Sequence, residues 1–518
     1  MPRDGSGVYT KPSGSTAVSG QVISSSGFNT LIDDMVTDAN AVRPVTSGGT
    51  GVSSIDALKT ALDLPWVDTP LSEGAIGDGS ADDTTILQAF VTAGAGTSII
   101  FDPGKNYKIT TAISVSAGTT IDMNGSTVTL DTGADRAFLL AGANITIKNG
   151  KCDVAFLGAG ITTQFDGCVV ENVEILNAKS TAISFLNCSN SVARGNHVWW
   201  DSTGVSARVS AGTALYGITT LVTTDTYSSQ DVIFEYNKVD FTNFTAAQME
   251  SVDACILMRG DSVNGTYTNA KRFTARANTL LMPVGSRGVT YGSSLARPTG
   301  IEFRDVTEGF CIENICDGGD LTNSFGRVSR GSISRNISTN QTHYCAEVAQ
   351  DCREIIVCEN QFSSNIALQV VSITDCAGFD LCNNMLQGGD DSTSDCLRIQ
   401  GDDTVGVVSG GRIVANAAGS DGIDIVGGAT SRISGVSFFA SVTGAGGHIH
   451  ASAGTIPNLS VINCEFEGVA VRPLKITGTV SHLRVGLCDG IGTPLGSDLV
   501  TGTITASTYT DNNNLTGL

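Results

Sequence analysis

The segment DCREIIVCEN (residues 351–360) is matched 24 residues later by DCAGFDLCNN (residues 375–384). The two segments align without a gap, and they share Asp at the first position, Cys at the second and eighth, and Asn at the tenth. Both combine a short apolar run with a turn, and neither has the apolar spacing of an amphipathic helix. This pattern indicates a chain that returns to an equivalent position once per repeat.

Segments of the same kind recur through most of the chain. Their equivalent positions are 150, 172, 196, 237, 278, 314, 336, 360, 384, 411, 435, 464 and 488. The step between neighbours returns repeatedly to 22–24 residues, with longer steps between 196 and 314. Three short strands and three turns fill such a step, and successive coils stack at the strand spacing of about 4.8 Å. The sequence therefore predicts an all-β fold, a right-handed parallel β-helix of about 13 coils. A leucine-rich repeat is excluded because its L-x-x-L-x-L pattern is missing.

Residues that share a position in the repeat should stack in columns. This predicts ladders of Asn and of Cys, because Cys188, Cys352 and Cys376 each lie eight residues before an equivalent position. A Cys column suits small buried side chains, whereas redox or metal chemistry is less supported because no C-x-x-C spacing is present. A disulfide would also have to meet strict geometry between stacked strands.

Composition and charge narrow the class of partner. The net charge of −21 argues against nucleic acid, although a local basic groove can still bind an acidic polysaccharide. The N-terminal sequence MPRDGSGVYTKPSGS lacks the apolar core of a secretory signal, and no apolar run approaches the ~18 residues of a membrane span. We therefore expect no signal peptide, no membrane insertion and no disulfide framework among the fourteen Cys.

The stretch GDGSADDTTILQAF (residues 77–90) contains three aspartates that could form an acid pair, a metal site or a helix start. Apolar residues follow at helical spacing, namely Ile86, Leu87, Phe90 and Val91. Ser80 and Asp83 have the spacing of a capping box, and acids in a first turn complement the helix dipole. A structural role is predicted for the aspartates, because the exposed end of a solenoid requires a covering element.

Residues 76 to about 130 resemble the N-terminal start of pectate-lyase-like β-helix proteins. The resemblance is carried by GDG-x-x-DDT-x-x-(I/L)-Q, which in that family forms a helix that plugs the first coil, and by the turn that follows; here the turn reads FDPG instead of the commoner double-proline form. The stretch TSGGTGVSSIDALKTALDLP (residues 46–65) is similar to GGTG-containing segments of bacteriophage tail fibres and tailspikes.

These observations divide the chain into four predicted parts. The first is an N-terminal virion-attachment region, and the second contains the capping helix and the start of the β-helix. The third is the parallel β-helix itself, and the fourth is a short tail. The predicted bounds are 1–64, 65–130, 131–490 and 491–518.

Function is expected where the coils carry insertions, at 197–230, 239–270 and 281–305. Aromatic and Arg side chains there are the predicted carbohydrate-binding residues, because sugar rings stack on aromatic faces. They are Trp199, Trp200, Tyr216, Tyr227, Arg259, Tyr267 and Tyr291. The alternative is that the two Trp cover the β-helix face or form a subunit contact.

Glycoside hydrolysis normally requires two carboxylates. Glu250 and Asp253 are the leading pair, and Asp201 and Glu235 are the next candidates, although each could be a solvated surface acid. His448 and His450 are interpreted as stacked surface histidines, so neither a metal nor another cofactor is predicted.

The combined features resemble a bacteriophage tailspike or a tailspike-type receptor-binding tail fibre. The resemblance implies a homotrimer, located in the virion and attached through residues 1–64 to a phage tail or baseplate protein. It also implies recognition of a bacterial surface polysaccharide, capsule or O-antigen. Three activities remain open: an endoglycosidase, a polysaccharide lyase with His343 or Tyr344 as base, and an adhesin that only binds.

Overall fold

The computed structural model describes residues 29, 32, 33 and 68–510, apart from 203–214, 224–226, 246–247, 261–268, 286–288, 292–293, 297, 365–368, 389–394, 417–419, 441–446, 469–471, 492–498 and 501–502. The chain divides into two compact units, Met1–Thr69 and Pro70–Leu518. Almost all of the predicted attachment region lies outside the described residues, so that boundary stays a prediction.

The second unit is the predicted right-handed parallel β-helix, with about 14 turns. Forty-four strands form one continuous sheet, in which each strand pairs in parallel with its equivalents in the coils before and after. The sheet has three faces, and the chain visits face 2, face 3 and face 1 in turn. Four long strands bend from one face to the next, namely Thr146–Asp153, Val169–Leu176, Thr299–Ile312 and Leu321–Ser334.

The remaining strands are listed by face. Face 1 contains Ser98–Ile100, Thr120–Asp122, Val192–Arg194, Ser229–Gln230, Ile233–Glu235, Ala270–Arg276, Cys352–Cys358, Cys376–Cys382, Val405–Ser409, Thr430–Ser434, Thr455–Ile462, Thr479–Gly486 and Thr503–Thr510. Face 2 contains Asp78–Asp82, Asn106–Ile109, Thr127–Leu130, His197–Trp199, Lys238–Asp240, Thr279–Leu281, Ile315–Asp317, Ile337–Thr339, Gln361–Ser364, Met385–Gly388, Arg412–Ala415, Ser437–Ala440, Glu465–Gly468 and Asp489–Ile491. Face 3 contains Ile113–Val115, Arg136–Leu140, Ala159–Thr163, Thr181–Leu186, Leu215–Leu221, Val252–Arg259, Tyr344–Ala349, Gln369–Thr374, Asp395–Gln400, Ile423–Val426, Gly447–Ala453, Arg472–Ile476 and Leu499–Val500. A separate antiparallel hairpin joins Val289–Tyr291 to Ser294–Ala296.

A single apolar core runs along the inside of the coils. Residues alternate between the inside and the outside of each strand, and equivalent inward residues stack from coil to coil. Met258, Phe303 and Phe325 are such a column, with the two Phe ring centroids 5.1 Å apart. Each coil thus covers the apolar surface of its neighbours, which no single coil could bury alone.

The predicted Asn ladder is confirmed at one corner of the β-helix. Its members are Asn196, Asn237, Asn278, Asn314, Asn336, Asn360 and Asn384. Each backbone N–H and side-chain Nδ2 donates to the Oδ1 of the next Asn, at 2.9–3.0 Å. The assigned repeat positions at 172 and 435 are wrong by one residue, because the residues in register with the ladder are Val173 and Val436.

The predicted stacking of cysteines is also confirmed. Cys352 pairs in register with Cys376, and both are buried, as expected for small apolar side chains. The next register pair differs from the expectation, because Cys358 and Cys382 form a disulfide with a Cα–Cα distance of 4.6 Å. The other twelve cysteines are free, so this bond is not part of a framework.

The helix expected after GDGSADD spans Thr84–Ala93 and buries Leu87, Phe90 and Val91. The predicted capping box is wrong, because Asp83 is itself the N-cap residue and its side chain does not bind the helix. Its carboxylate instead accepts hydrogen bonds from the backbone N–H groups of Ile76 and Gly77, at 2.6 and 3.0 Å. The first helical turn also contains no acid.

The helix is bonded to the first strand of face 3 through one side chain, and its predicted role as a cap stays a prediction. The Gln88 side chain accepts a hydrogen bond from the Ser114 N–H at 2.8 Å and donates one to the Ser114 carbonyl at 3.0 Å. The other two aspartates of the opening stretch also accept hydrogen bonds from nearby backbone N–H groups. No helix in the described part of the chain has the length and apolar character required to cross a membrane.

Candidate active site on face 3

The predicted carboxylates lie on different faces of the β-helix. Glu235 is on face 1, where it forms ion pairs with Arg276 and with Arg194. Asp201 follows a face 2 strand and accepts a hydrogen bond from the Asn177 side chain at 3.1 Å. Only Asp253 lies on face 3. These acids therefore do not form one constellation.

The leading pair of the sequence prediction is described only in part. Glu250 is in the short 3₁₀ helix Gln248–Ser251, and its side chain lies outside the described structure. Asp253 is the second residue of the adjoining strand Val252–Arg259 and is half-buried. The pairing of Glu250 with Asp253 stays a prediction.

The predicted aromatic platform is also divided. Trp200 is fully buried, stacks on Phe241 with ring centroids 4.3 Å apart and donates a hydrogen bond to a backbone carbonyl, so its ring has no surface to offer a sugar. Trp199 lies on face 2 and donates to Glu174. Tyr227 is 52% exposed. The side chains of Tyr267 and Tyr291 lie outside the described structure.

Face 3 contains a carboxylate that is held in place by a tyrosine at an irregular position of the sheet. The strand Leu215–Leu221 pairs with Val252–Arg259, and the pairing skips Asp253 between its first two residue pairs. Asp253 is therefore the extra residue of a β-bulge, a feature that re-aims a side chain and is frequent beside active sites. The Tyr216 hydroxyl donates to Asp253 Oδ2 at 2.5 Å and so fixes the carboxylate. Burial, followed by the Asp253 charge, raises the pKa of Tyr216, which keeps the phenol protonated and able to donate.

Glu302 occupies the outer side of face 3 in the coil after Asp253, in register with Leu257. Burial, and next the negative charge of Asp253, raise the pKa of Glu302 to about 7. Arg304 opposes this shift, with Nη1 3.8 Å from Glu302 Oε1, and Arg259 acts in the same direction. A carboxyl that is partly protonated at neutral pH is suited to donate a proton.

Further polar residues continue the row from coil to coil. Glu302, Ser324 and Glu347 are in register on the outer side of face 3. The Ser324 hydroxyl lies 3.5 Å from Glu347 Oε2. The row continues through Ser372 to Arg398 and provides hydrogen-bonding groups at intervals of one coil. Along the axis of the β-helix, this row alternates charged side chains with the buried hydroxyls of Ser324 and Ser372.

Sequence reasoning missed Glu302. The residue lies inside the predicted insertion 281–305, but nothing in its local sequence marks it. The available signal was the coil register across that insertion, which places Glu302 45 residues after Leu257.

The histidines are separated by the fold. His343 Nδ1 lies 2.8 Å from the buried carboxylate of Asp320, before a face 3 strand. His448 is buried between Phe438 and Phe466, where burial lowers its pKa to about 4. The expectation of stacked surface histidines is therefore wrong, because His448 lies in the core and only His450 reaches the outer side of face 3.

The sequence matches none of the protein-family models and none of the curated proteins. Solved structures match it at the level of the fold. A mutant tailspike protein of E. coli bacteriophage HK620, in complex with a pentasaccharide, aligns with a TM-score of 0.50 and 11% identity, over 86% of this chain and 79% of that chain. The chain has the β-helix fold of this phage tailspike.

Two other structures align with lower scores. ORF18 of Geobacillus virus E2 has a TM-score of 0.46 and 11% identity over 65% of this chain; the match spans 63% of that chain, less than two thirds of its length. The catalytic unit of a GH87 α-1,3-glucanase from Streptomyces thermodiastaticus has a TM-score of 0.41 and 10% identity over 87% of this chain and 70% of that chain. Because one fold hosts many functions, the chemistry of face 3 has to identify the function.

Proposed function

We propose that this protein is a phage tail protein that binds a bacterial surface polysaccharide along face 3 and hydrolyses it with Asp253 and Glu302. The observation that carries the proposal is the pairing of two acids in unlike environments. Asp253 is fixed by a phenol hydroxyl, whereas Glu302 lies in the next coil, in register with Leu257, where burial and next the Asp253 charge raise its pKa. Two carboxyl groups in unlike surroundings are the arrangement expected of the acid and the base of a glycoside hydrolase.

The roles follow from these environments. Protonated Glu302 donates its proton to the glycosidic oxygen as the carbon–oxygen bond breaks. Asp253 is the second carboxylate, which accepts a proton from the water whose oxygen bonds to the sugar carbon. Tyr216 orients Asp253, and Arg259 and Arg304 limit the negative charge at the site. Serine and carboxylate groups of the neighbouring coils bind sugar hydroxyls.

The shared fold supports the substrate class, since the HK620 tailspike was solved with a bound pentasaccharide. Attachment to the virion through residues 1–64 belongs to the same proposal. So does a homotrimer, for which an exposed apolar row on face 2 offers a contact surface. The row contains Ile315, Ile337 and Met385, with Gln361 between the last two.

Reducing-end release from purified capsule and O-antigen polysaccharides tests cleavage. We expect Glu302→Gln and Asp253→Asn to lower the rate by about 10²–10⁴-fold, the contribution of a general acid or base, while polysaccharide binding persists. Matched controls are Glu354→Gln and Asp380→Asn, which change exposed acids on face 1 and should retain the full rate.

Other outcomes would identify the alternatives. Binding without reducing-end release by the wild type would make the protein an adhesin. An unsaturated product that absorbs in the ultraviolet would make it a lyase, with His343 as the base to be tested. Full cleavage by both variants would remove Asp253 and Glu302 from the mechanism.

A further inference from the structure

A second group of buried polar residues lies on face 3, beyond the candidate active site. Asp424 is in register with His450 of the next coil, and Asp421 lies just before the strand of Asp424. One carboxylate oxygen of Asp421, one of Asp424 and one ring nitrogen of His450 lie within 4.8 Å of one another. Asp421 is 6% exposed and Asp424 is 7% exposed.

Among the residues that the structure describes, one carboxylate oxygen of this group has no hydrogen-bond partner. Asp421 Oδ2 lies 2.6 Å from His450 Nδ1, and Asp421 Oδ1 accepts a hydrogen bond from the Gly447 N–H. Asp424 Oδ1 lies 3.8 Å from the same nitrogen and has no hydrogen-bond partner among the described residues. A carboxylate oxygen this deeply buried is costly unless a hydrogen bond or a cation compensates it.

The other ring nitrogen of His450 shows which tautomer is present. Thr477 Oγ1 donates its hydrogen to the Ser452 carbonyl at 2.8 Å, so it accepts from His450 Nε2–H at 2.9 Å. His450 Nδ1 then faces the two carboxylates with either a second proton or a metal ion between them. An imidazole whose far N–H is fixed by a neighbouring oxygen is the usual arrangement of a metal-ligating histidine.

We infer that Asp421, Asp424 and His450 bind a divalent cation. Two carboxylates and an imidazole suit Mn²⁺ or Zn²⁺, because all-oxygen sites favour Ca²⁺ whereas imidazole favours first-row transition metals. Asp395 supplies a third carboxyl nearby, whose pKa is raised to about 7 by burial and next by the charges of Asp424 and Asp421. Arg398 opposes the negative charge of Asp395 and Asp424, and Lys475 is in register with His450 in the following coil.

The site is separate from the proposed catalytic pair. Asp424 and Glu302 are in the same row of face 3 but five coils apart, which is about 24 Å at the strand spacing. A bound ion would join two successive coils through side chains, in addition to their backbone hydrogen bonds. It would therefore act on stability and on the shape of the groove, and hydrolysis would not depend on it for the chemical step.

Calorimetric titration of the full chain, stripped of metal with a chelator, tests the site with MnCl₂, ZnCl₂ and CaCl₂. We expect one Mn²⁺ or Zn²⁺ per chain and weaker binding of Ca²⁺, because an imidazole ligand favours first-row transition metals. Asp424→Asn and His450→Gln should weaken binding at least about tenfold. His482→Gln, at an exposed histidine on face 1, is the matched control.

Thermal unfolding separates a metal site from an ion-pair cluster. In the chelated protein, Asp424→Asn should raise the midpoint, because it removes a buried charge that repels its neighbours. The wild type should gain stability when the ion is added, and this variant should not. The inference is overturned if the wild type binds none of the three ions up to millimolar concentration, or if both variants bind as tightly as it does.

Discussion

Glu302 and Glu235 are the same residue type with opposite surroundings. Glu235 is paired with arginines on face 1, so its charge is satisfied and it is of little use as an acid. Burial and next the Asp253 charge raise the pKa of Glu302, and Arg304 Nη1 lies 3.8 Å from Glu302 Oε1, beyond a direct hydrogen bond. Chemistry at this surface is therefore determined by neighbours in adjacent coils, which are distant in sequence.

The pH profile of hydrolysis should respond to those neighbours. Protonated Glu302 is the active form of the acid, so kcat/KM should fall as pH rises through its pKa of about 7. Glu347→Gln removes a charge that raises this pKa, so the falling limb should move to lower pH. Arg304→Gln removes a charge that lowers it, so the limb should move to higher pH.

Initial rates from pH 5 to 9 check both shifts. Glu354→Gln, on face 1, should leave the profile unchanged. Limbs that move in the same direction, or a profile unaffected by either substitution, would show that Glu302 is not the titrating acid.

At the scale of elements, the Asn ladder explains how coils of unequal length stay in register. The steps from Asn196 to Asn237 and from Asn237 to Asn278 are 41 residues, and the later steps from Asn336 are 24, yet the hydrogen bonds are the same at each. The inserted residues extend from other corners of the coils. The corner with the Asn ladder therefore has the same conformation in each coil. Each buried amide satisfies the backbone of the coil before it.

Removal of an interior rung should be costly. Asn336→Ala leaves the backbone N–H and the side-chain amide of Asn314 without their acceptor, so we expect the free energy of unfolding to fall by about 2–4 kcal/mol. Asn458→Ala is the control, at an exposed position on face 1, and should change it by less than about 0.5 kcal/mol. Denaturant unfolding of both variants measures the difference, and equal stabilities would show that the ladder does not contribute.

At the scale of the molecule, the outer surface of the β-helix is not uniform. Face 3 is polar and holds the proposed catalytic pair and the inferred cation site. Face 2 has the exposed apolar row that begins with Ile315 and Ile337. A trimer of parallel β-helices would bury such rows against one another and leave the polar face accessible to a polysaccharide.

We expect the purified chain to have three times its mass of 53.4 kDa by light scattering. Ile315→Lys combined with Ile337→Lys places charges on the apolar row and should shift the protein toward the monomer, because an unpaired buried charge is costly. Thr479→Lys, at the edge of face 1, is the control for added charge. A wild-type monomer would contradict the trimer, and a double variant that stays trimeric would place the contact elsewhere.

The fold could be predicted from the sequence because each coil of a β-helix requires similar residues at equivalent positions. The separation of equivalent residues such as Cys352 and Cys376 equals the length of one coil, and the same separation recurs in other coils. The residues of the candidate active site occur once and follow no repeat. Asp253 depends on a bulge, and Glu302 depends on the register across an insertion, so neither has a local signature. Trp200 was misleading because an aromatic residue at the start of an insertion is equally suited to the core.

The Asn ladder also makes the length of the molecule adjustable. Every Asn of the ladder has the same donors and the same acceptor, so any two of them could form the same hydrogen bonds. Deletion of residues 315–336 removes one whole coil and would bring Asn314 into contact with Asn360 in the ladder, which shortens the β-helix by about 4.8 Å. It would also bring Glu347 into the coil next to Glu302. Evolution or design can therefore change the spacing of sites along the groove in whole-coil steps, without redesigning the core.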